Sequence, residues 1–317
     1  MKIAILDDHQ GVALDAASWD DLGVDAEVVA FAEHVADDDA LVERLEPFEV
    51  VVAMRERTAF TRARLERLPN LKLLVTTGMR NAAIDVAAAR ERGIVVSGTG
   101  GVTAATAELT WALILALARH VPAEDRSMRA GGWQTTVGMD LEGCTLGVVG
   151  LGNQGAPVAR IGQAFGMRVI AWSQNLTPAR AAEHGAQAVS REALLEQADV
   201  VTIHLKLSDR SRGLIAAPEL ARMKSTALLI NTSRGPIVDE DALVAALRDG
   251  TIGGAALDVY DREPLPPDHP LRSAPNTVLT PHIGYVTAAT YEVFYGHALE
   301  DIAAWRDGAP LRVLPAG

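Results

Sequence analysis

Short apolar runs alternate with longer stretches of helical periodicity along the first third of the chain. The runs predict strands at residues 3–6, 50–53, 71–75 and 94–96. Helical spacing of apolar residues marks stretches such as 38–45 and 85–92. Strands that alternate with helices are typical of a parallel sheet covered by helices. We therefore expect the chain to begin with an α/β domain.

The same alternation starts again further along the chain. Its strands are expected at residues 146–149, 168–172, 200–203, 227–230, 254–257 and 278–279. Helices fit between them, including 156–165, 191–197 and 240–248. Single cores tend to split above roughly 250–300 residues, and this chain has 317. The prediction is an α/β protein with two Rossmann-like, doubly wound parallel-sheet domains, joined by long crossover helices.

Composition and charge narrow the class of protein. The formal net charge of −12 argues against nucleic acid or an anionic membrane as the main partner, although a local positive site remains compatible with it. Cys144 is the only cysteine, so no internal disulfide forms, and no metal-ligand spacing is present. The chain starts directly on a strand, without a signal-peptide pattern, and the apolar stretch 109–118 is too short to span a bilayer. We expect a cytoplasmic protein.

A glycine-rich turn follows the first strand of the second series. Gly150, Gly152 and Gly155 fit the spacing G-x-G-x-x-G, after a β-branched strand and before a helix. In that context the glycines permit a tight turn, a close approach of the backbone to a pyrophosphate, and close packing of helix on strand. The helix N-terminus then offers free N–H groups to the phosphates. The turn predicts a dinucleotide site.

The choice between NAD and NADP stays open at this stage. The strand after the glycine turn ends in Ser173 and Gln174, where an acid would bind the ribose hydroxyls and repel a 2′-phosphate. The acid is absent, yet no arginine stands directly beside Ser173, and Arg180 is the nearest candidate. We expect NAD, with NADP possible.

Three polar residues follow strands of the second series. Arg234, Glu263 and His282 each come after one of the last three predicted strands, and open α/β sheets build their ligand sites at the carboxyl ends of their strands. Hydride transfer to a ketone needs a cation for the carbonyl, a proton donor for the alkoxide, and a partner that controls the donor. These three side chains supply such a set.

The segments around these residues resemble the D-isomer-specific 2-hydroxyacid dehydrogenase family over nearly the whole chain. They read Asn-Thr-Ser-Arg-Gly at 231–235, Leu-Asp-Val-Tyr-Asp-Arg-Glu-Pro at 257–264 and Thr-Pro-His-Ile-Gly at 280–284, with Thr-Thr-Gly-Met-Arg-Asn at 76–81 and Thr-Ala-Glu-Leu at 106–109. The resemblance implies NAD(P)-dependent interconversion of a D-2-hydroxy acid and a 2-keto acid. It implies that Arg234 binds the substrate, that His282 is the general acid/base, and that Glu263 hydrogen-bonds His282.

The resemblance also implies the binding residues and the domain roles. For the cofactor they are Thr106, Gly150, Gly152, Asn153, Gln154, Gly155, Ser173, Gln174, His204, Leu205, Lys206, Thr232, Ser233, Arg234, Asp258, His282 and Gly284. For the substrate they are Arg55, Gly78, Met79, Arg80, Arg234 and His282. The expected domains are a flavodoxin-like substrate domain, 1–103 plus 288–317, and a dinucleotide-binding Rossmann domain, 104–287. A homodimer is implied as well.

Some of these residues depart from the usual family pattern. Lys206 replaces a proline and Arg80 replaces a glycine, so each adds a cation that either faces solvent or binds an anion. Lys206 is then a candidate for a 2′-phosphate. Arg55 and Arg80 are candidates for a second anionic group on the substrate.

Three alternatives share the fold. A formate dehydrogenase carries glutamine at the position of Glu263, so the glutamate disfavours it. An NAD(H)-sensing regulatory protein keeps the same catalytic residues and remains open. A phosphoglycerate dehydrogenase with a C-terminal effector domain does not fit the 35 residues that follow His282. A short phosphoglycerate dehydrogenase without that domain stays open, as do glyoxylate, hydroxypyruvate and larger keto acids as substrates.

Overall fold

Two separate parallel sheets organise the chain in the computed structural model, which describes residues 1–315. The strands are β1 Lys2–Ile5, β2 Glu27–Ala30, β3 Val50–Ala53, β4 Leu73–Thr76, β5 Val95–Gly98, β6 Thr145–Val149, β7 Arg168–Trp172, β8 Gln187–Ala188, β9 Val200–Ile203, β10 Leu228–Asn231, β11 Gly254–Leu257 and β12 Thr277–Leu279.

Helices connect most of these strands. The α-helices are α1 Asp38–Leu45, α2 Arg62–Glu66, α3 Val86–Glu91, α4 Ala104–Ala118, α5 Val121–Arg129, α6 Gly155–Ala164, α7 Pro178–Ala182, α8 Arg191–Gln197, α9 Ala217–Leu220, α10 Glu240–Arg248 and α11 Ala288–Arg306. Short 3-10 helices lie at Trp19–Leu22, Gly235–Ile237 and Pro270–Ser273.

The first compact unit comprises Met1–Val102 and the segment from Val286 onward. Its five parallel strands have the order β2-β1-β3-β4-β5, which is the flavodoxin-like order with its switch point between β1 and β3. β3 and β4 are buried along their whole length, as expected for strands covered on both faces. The carboxyl ends of β1, β3 and β4 therefore lead into loops at one edge of the sheet.

The end of the chain joins this first sheet. Helix α11 packs against β4, and the segment 311–314 then runs alongside β5. Gly98 donates its N–H to the carbonyl of Arg312 at 3.0 Å, and Leu314 donates to the carbonyl of Val96 at 2.8 Å. We call residues 311–314 the C-terminal strap.

The second compact unit comprises Thr103–Tyr285. Its seven strands are all parallel and have the order β12-β11-β10-β9-β6-β7-β8. The order of the six strands other than β12 is that of a Rossmann sheet, with β6 at the switch point. Two buried apolar clusters cover the sheet, one containing Leu194 and Leu229, the other Trp111 and Val158.

The predicted fold class, two doubly wound α/β sheets, is confirmed. Two edge strands were not predicted, since β2 is only partly buried and β8 has two residues. Helix α4 ends at Ala118, and His120 adopts a left-handed conformation (φ 51°) before α5 begins. Within residues 1–315, every helix is too short or too polar to span a bilayer.

Candidate active site

The glycine turn joins β6 to α6 in the second unit. Gly150 has φ +103°, and a Cβ built there would lie 2.6 Å from the carbonyl oxygen of His204. A Cβ on Gly155 would collide with the carbonyl oxygen of Gly150. Both positions thus require glycine for backbone reasons. Gly152 differs, because a Cβ there meets no atom within 4 Å, so packing within the protein does not explain this glycine.

The residues at the start of α6 fit a pyrophosphate. The helix has ten residues and no side-chain cap at its N-terminus, which leaves N–H donors and a positive dipole end. The amide Oε1 of Gln154 is buried and accepts no hydrogen bond from the described residues. Turned by 180°, the same amide presents its NH2 donor there. Together with the open space at Gly152, these groups form a cradle for an anion.

The neighbouring strand ends approach the same turn. Gly150 donates its N–H to the carbonyl of Trp172, at the end of β7, at 2.8 Å, so Ser173 and Gln174 lie beside the turn. His204 donates its N–H to Val149 at 2.8 Å, and burial lowers the pKa of its side chain to about 4. The side chain of His204 is therefore neutral and forms a hydrogen bond with Thr202 at 2.9 Å. The backbone of His204 adjoins the turn.

Two cations considered for a 2′-phosphate lie at the surface. Arg180 pairs with Glu183 at 2.7 Å on the exposed face of α7. Lys206 follows β9 and is exposed. Leu205 packs beside the turn, with a side-chain carbon 2.9 Å from a Cβ built at Gly150.

The predicted catalytic residues follow β10, β11 and β12, which are neighbours in the sheet. His282 donates from Nδ1 to Oε2 of Glu263 at 2.6 Å. The other oxygen of Glu263 accepts the backbone N–H of Tyr260 at 3.0 Å. Because Nδ1 faces the carboxylate, Nε2 of His282 remains the nitrogen that can exchange a proton with a substrate.

Glu263 is held in its ionised form. Burial alone would raise its pKa, but the hydrogen bond and charge of His282, the Tyr260 N–H and the charge of Arg234 hold that pKa below its ordinary value. Glu263 is therefore a permanent acceptor for the imidazole near neutral pH.

Arg234 is fixed against the loop that carries Glu263. A Cβ on Gly235 would collide with the backbone of Tyr260, so only glycine lets the two loops meet this closely. Asn231 donates to the carbonyl of Arg234 at 3.0 Å, and the Ser233 hydroxyl donates to Ile203 at 2.7 Å. The arginine thus sits on a braced turn close enough to influence Glu263.

Asp258 fixes the loop of His282, a role that the sequence analysis missed. Its buried carboxylate accepts the Thr280 hydroxyl at 2.6 Å, the Ile283 N–H at 2.8 Å and the Gly284 N–H at 2.8 Å. His282 itself has φ 55°, which is uncommon for a residue other than glycine. The three hydrogen bonds hold both sides of this unusual residue.

Other polar contacts support the same loop. The Tyr260 hydroxyl, also missed, lies 3.2 Å from the carbonyl of Leu257 and 3.0 Å from that of Thr280. Thr106 donates to the carbonyl of Gly284 at 3.1 Å. Thr232, on the β10 side, bonds Thr110 at 2.9 Å. An acid directly after a buried strand was the one sequence signal for the Asp258 anchor.

The predicted substrate residues of the first unit follow β3 and β4. Gly78 has φ +96°, and a Cβ there would collide with the guanidinium of Arg55. Arg55 donates from Nη1 to the carbonyl of Thr77 at 3.1 Å, and Gly78 donates to the Thr99 hydroxyl at 2.8 Å. Met79 and Arg80 are exposed beside them. The structure thus gathers Arg55 and the Gly78–Arg80 turn at one edge of this sheet.

A metal centre finds no support in the described residues. Within residues 1–315, no group of three or more His, Cys, Asp or Glu side chains could hold a metal ion.

Comparison with known proteins identifies the family. The sequence model described as "D-isomer specific 2-hydroxyacid dehydrogenase, NAD binding domain" matches residues 111–284. The chain is 44% identical to a glyoxylate reductase of Aeropyrum pernix, over 77% of this chain and 76% of that protein. It is 35% identical to a D-3-phosphoglycerate dehydrogenase of Archaeoglobus fulgidus, over 98% of this chain and 58% of that protein. The chain belongs to the D-isomer specific 2-hydroxyacid dehydrogenase family.

A solved structure agrees with this result. The phosphoglycerate oxidoreductase of Vibrio cholerae matches with a TM-score of 0.93 and 39% identity, and the match covers 98% of this chain and all of that one. The resemblance stated from the sequence motifs is confirmed.

The glycine cradle yields a direct prediction. Gly152→Ala should leave the free energy of unfolding within about 1 kcal/mol of wild type, because the added methyl meets no protein atom. It should weaken NADH binding at least about tenfold, because the methyl occupies the place of the pyrophosphate. Urea unfolding and NADH fluorescence titration measure the two effects.

Gly155→Ala is the matched control, since its methyl collides with the carbonyl of Gly150. This variant should lose stability as well as affinity. Unchanged NADH affinity in a folded Gly152→Ala variant would refute the cradle.

Proposed function

We propose that this chain reduces a small 2-keto acid to the D-2-hydroxy acid with NADH. The observation that carries the proposal is the 2.6 Å hydrogen bond between His282 and Glu263, on strand ends that adjoin the turn of Arg234. The family's NAD-binding domain, matched at residues 111–284, supports the nicotinamide cofactor. The bound cofactor supplies the hydride that reduces the carbonyl carbon.

Arg234 and His282 have different roles at the carbonyl oxygen of the substrate. Arg234 binds the substrate's carboxylate and carbonyl oxygen, and its charge stabilises the negative charge that develops on that oxygen. His282 gives its Nε2 proton to the same oxygen as general acid. Glu263 favours the protonated imidazole and keeps the ring oriented. In the oxidative direction a neutral His282 takes the proton back.

The cofactor is bound by the second unit. Gly150, Gly152, Asn153, Gln154 and Gly155 hold the pyrophosphate, and Ser173 and Gln174 hold the adenosine ribose. His204, Leu205, Thr232 and Ser233 line the remainder of the site, with Thr106, Asp258 and Gly284 near the nicotinamide. Lys206 is the candidate contact for a 2′-phosphate, so NADPH is the alternative cofactor to test.

The first unit binds the substrate's carboxylate through the backbone N–H groups of Met79 and Arg80. The guanidinium of Arg55 lies over Gly78, which supports a second role. Arg55, with Arg80, binds a further anionic group on the substrate, such as a phosphate or a distal carboxylate. The relatives named above include both a glyoxylate reductase and a D-3-phosphoglycerate dehydrogenase, so both substrate types need to be compared.

A substrate panel tests this assignment. With NADH, the wild type should reduce keto acids that carry a second anionic group more efficiently than glyoxylate. Arg55→Gln should lower kcat/KM for the former about tenfold or more, because a charge-assisted hydrogen bond is lost, and should leave glyoxylate reduction within about twofold.

The control for this panel is Arg92→Gln, at an exposed arginine after α3, and NADPH is run in parallel. Equal losses on both substrate types would contradict the second-anion role. Tight NADH binding without turnover of any keto acid would instead favour an NAD(H)-sensing protein.

The pH dependence tests the proton donor. Because the lowered pKa of Glu263 keeps it ionised at acidic pH, the His282–Glu263 pair and the reductive rate should persist there. The rate should fall at alkaline pH, where a general acid has lost its proton. Glu263→Gln should lower the reductive rate at neutral pH about tenfold or more, since the neutral amide no longer stabilises a charged imidazole as proton donor. His282→Ala should lower kcat about 100-fold or more at every pH.

Steady-state rates with NADH from pH 5 to 10 record these profiles, and His184→Ala is the control at a histidine away from the site. A wild-type rate at neutral pH in Glu263→Gln, or near-wild-type turnover in His282→Ala, would end the assignment.

We also propose a homodimer whose interface includes residues 121–137. Met128, Trp133 and Val137 lie close together in the sequence and are 59%, 72% and 92% exposed, and exposed large apolar side chains favour an interaction surface when they form one patch. Light scattering should return twice the 33.6 kDa of one chain, and Trp133→Glu should shift the mass toward one chain. A monomeric wild type would refute the dimer.

A further inference from the structure

A single arginine fastens the C-terminal strap to α11. The Arg312 guanidinium donates to Asp301 at 3.0 Å, to the Glu300 side chain at 2.8 Å and to the carbonyl of His297 at 2.9 Å. All three acceptors belong to α11. Arg312 itself has φ 47°, a conformation that a non-glycine residue keeps only where its surroundings impose it.

The Asp301 end of this contact lies in the interior. Asp301 is fully buried, and its Oδ2 accepts no hydrogen bond from the described residues. Burial raises the pKa of Asp301 to about 7, and Arg312 opposes that rise. A buried carboxylate without its cation is strongly unfavourable, so the position of the Arg312 side chain is tightly specified.

The backbone of the strap transmits this position to β5. Arg312 accepts the N–H of Gly98, and the Ser97 hydroxyl donates to the carbonyl of Leu311 at 2.8 Å. Leu314 is buried in the apolar core of the first unit. The strap therefore covers the free edge of β5 and fixes its last residues.

The end of β5 touches the Gly78–Arg80 turn on its other side. A Cβ built on Gly98 would lie 2.7 Å from the carbonyl oxygen of Gly78, 3.1 Å from Cα of Met79 and 3.2 Å from the Leu314 side chain. The next residue, Thr99, accepts the N–H of Gly78 through its hydroxyl. Gly98 and Thr99 thus stand between the strap and the turn, with no spare room.

We propose that Arg312 is a positioning residue for substrate binding, because it clamps the strap to α11 and so holds the end of β5 against the Gly78–Arg80 turn. The inference rests on the proposed role of that turn in binding the substrate's carboxylate. Misplacement of backbone donors weakens the hold on a carboxylate without altering His282 or the cofactor site.

Arg312→Met tests the clamp, because it keeps the length of the side chain and removes the guanidinium. KM for the keto acid should rise about fivefold to tenfold, with kcat within about twofold and NADH affinity unchanged. Glu300→Gln is the matched control: it alters an exposed contact of Arg312 and leaves Asp301 in place, so its KM should match wild type. Thermal unfolding of each variant is measured alongside.

A second variant separates this inference from the proposed function. Gly98→Ala inserts a methyl against the turn without touching Arg312, so it should also raise KM. A raised KM in Gly98→Ala, but not in Arg312→Met, would overturn the clamp and leave the substrate role of the turn intact. Unchanged KM in both folded variants would remove that role, and the clamp with it.

Hydrogen exchange decides the matter if no keto acid is turned over. The amides of Gly78, Met79 and Arg80 should exchange faster in Arg312→Met than in wild type and Glu300→Gln. Equal exchange in all three proteins would overturn the inference independently of activity.

Discussion

The carboxylate of Asp258 holds the loop of His282 in place. It accepts three hydrogen bonds, from Thr280 on one side of His282 and from Ile283 and Gly284 on the other. With these bonds the chain keeps His282 at a positive φ, and the ring meets Glu263 at 2.6 Å. Burial raises the pKa of Asp258 above its ordinary value, and the hydrogen bonds from Thr280, Ile283 and Gly284 only partly oppose that rise. The orientation of His282 depends on this network.

The sheet brings the other polar groups to the same place. β10, β11 and β12 are adjacent and parallel, so the loops that follow them emerge side by side. Gly235 then lets the Arg234 turn touch the backbone of Tyr260, whose N–H holds Glu263. Arg234, Glu263 and His282 become neighbours because the strands before them are adjacent and because Gly235 allows one close backbone contact. The proposed chemistry follows from that proximity.

Local sequence patterns predicted part of this arrangement. The glycine turn and the fold class were predictable because a buried strand, a G-x-G-x-x-G turn and a helix are contiguous in sequence. Arg234, Glu263 and His282 were predictable from strand ends and family motifs, and the pairing of His282 with Glu263 is present. The anchoring by Asp258 and Tyr260 and the strap contact of Arg312 were not predictable, because they depend on loop conformations and on contacts between distant segments. The edge strand β2 was not predicted because its partly buried residues give a weak pattern of apolar positions.

In the proposed reaction His282, oriented by Glu263, donates a proton to a keto acid whose carboxylate and carbonyl Arg234 binds. A crystal structure with NADH and oxamate, a keto-acid analogue that resists reduction, would record these contacts. The oxamate carbonyl oxygen should lie within about 3.2 Å of Nε2 of His282 and within hydrogen-bond reach of the Arg234 guanidinium. An ordered oxamate whose carbonyl contacts neither side chain would refute these roles of His282 and Arg234.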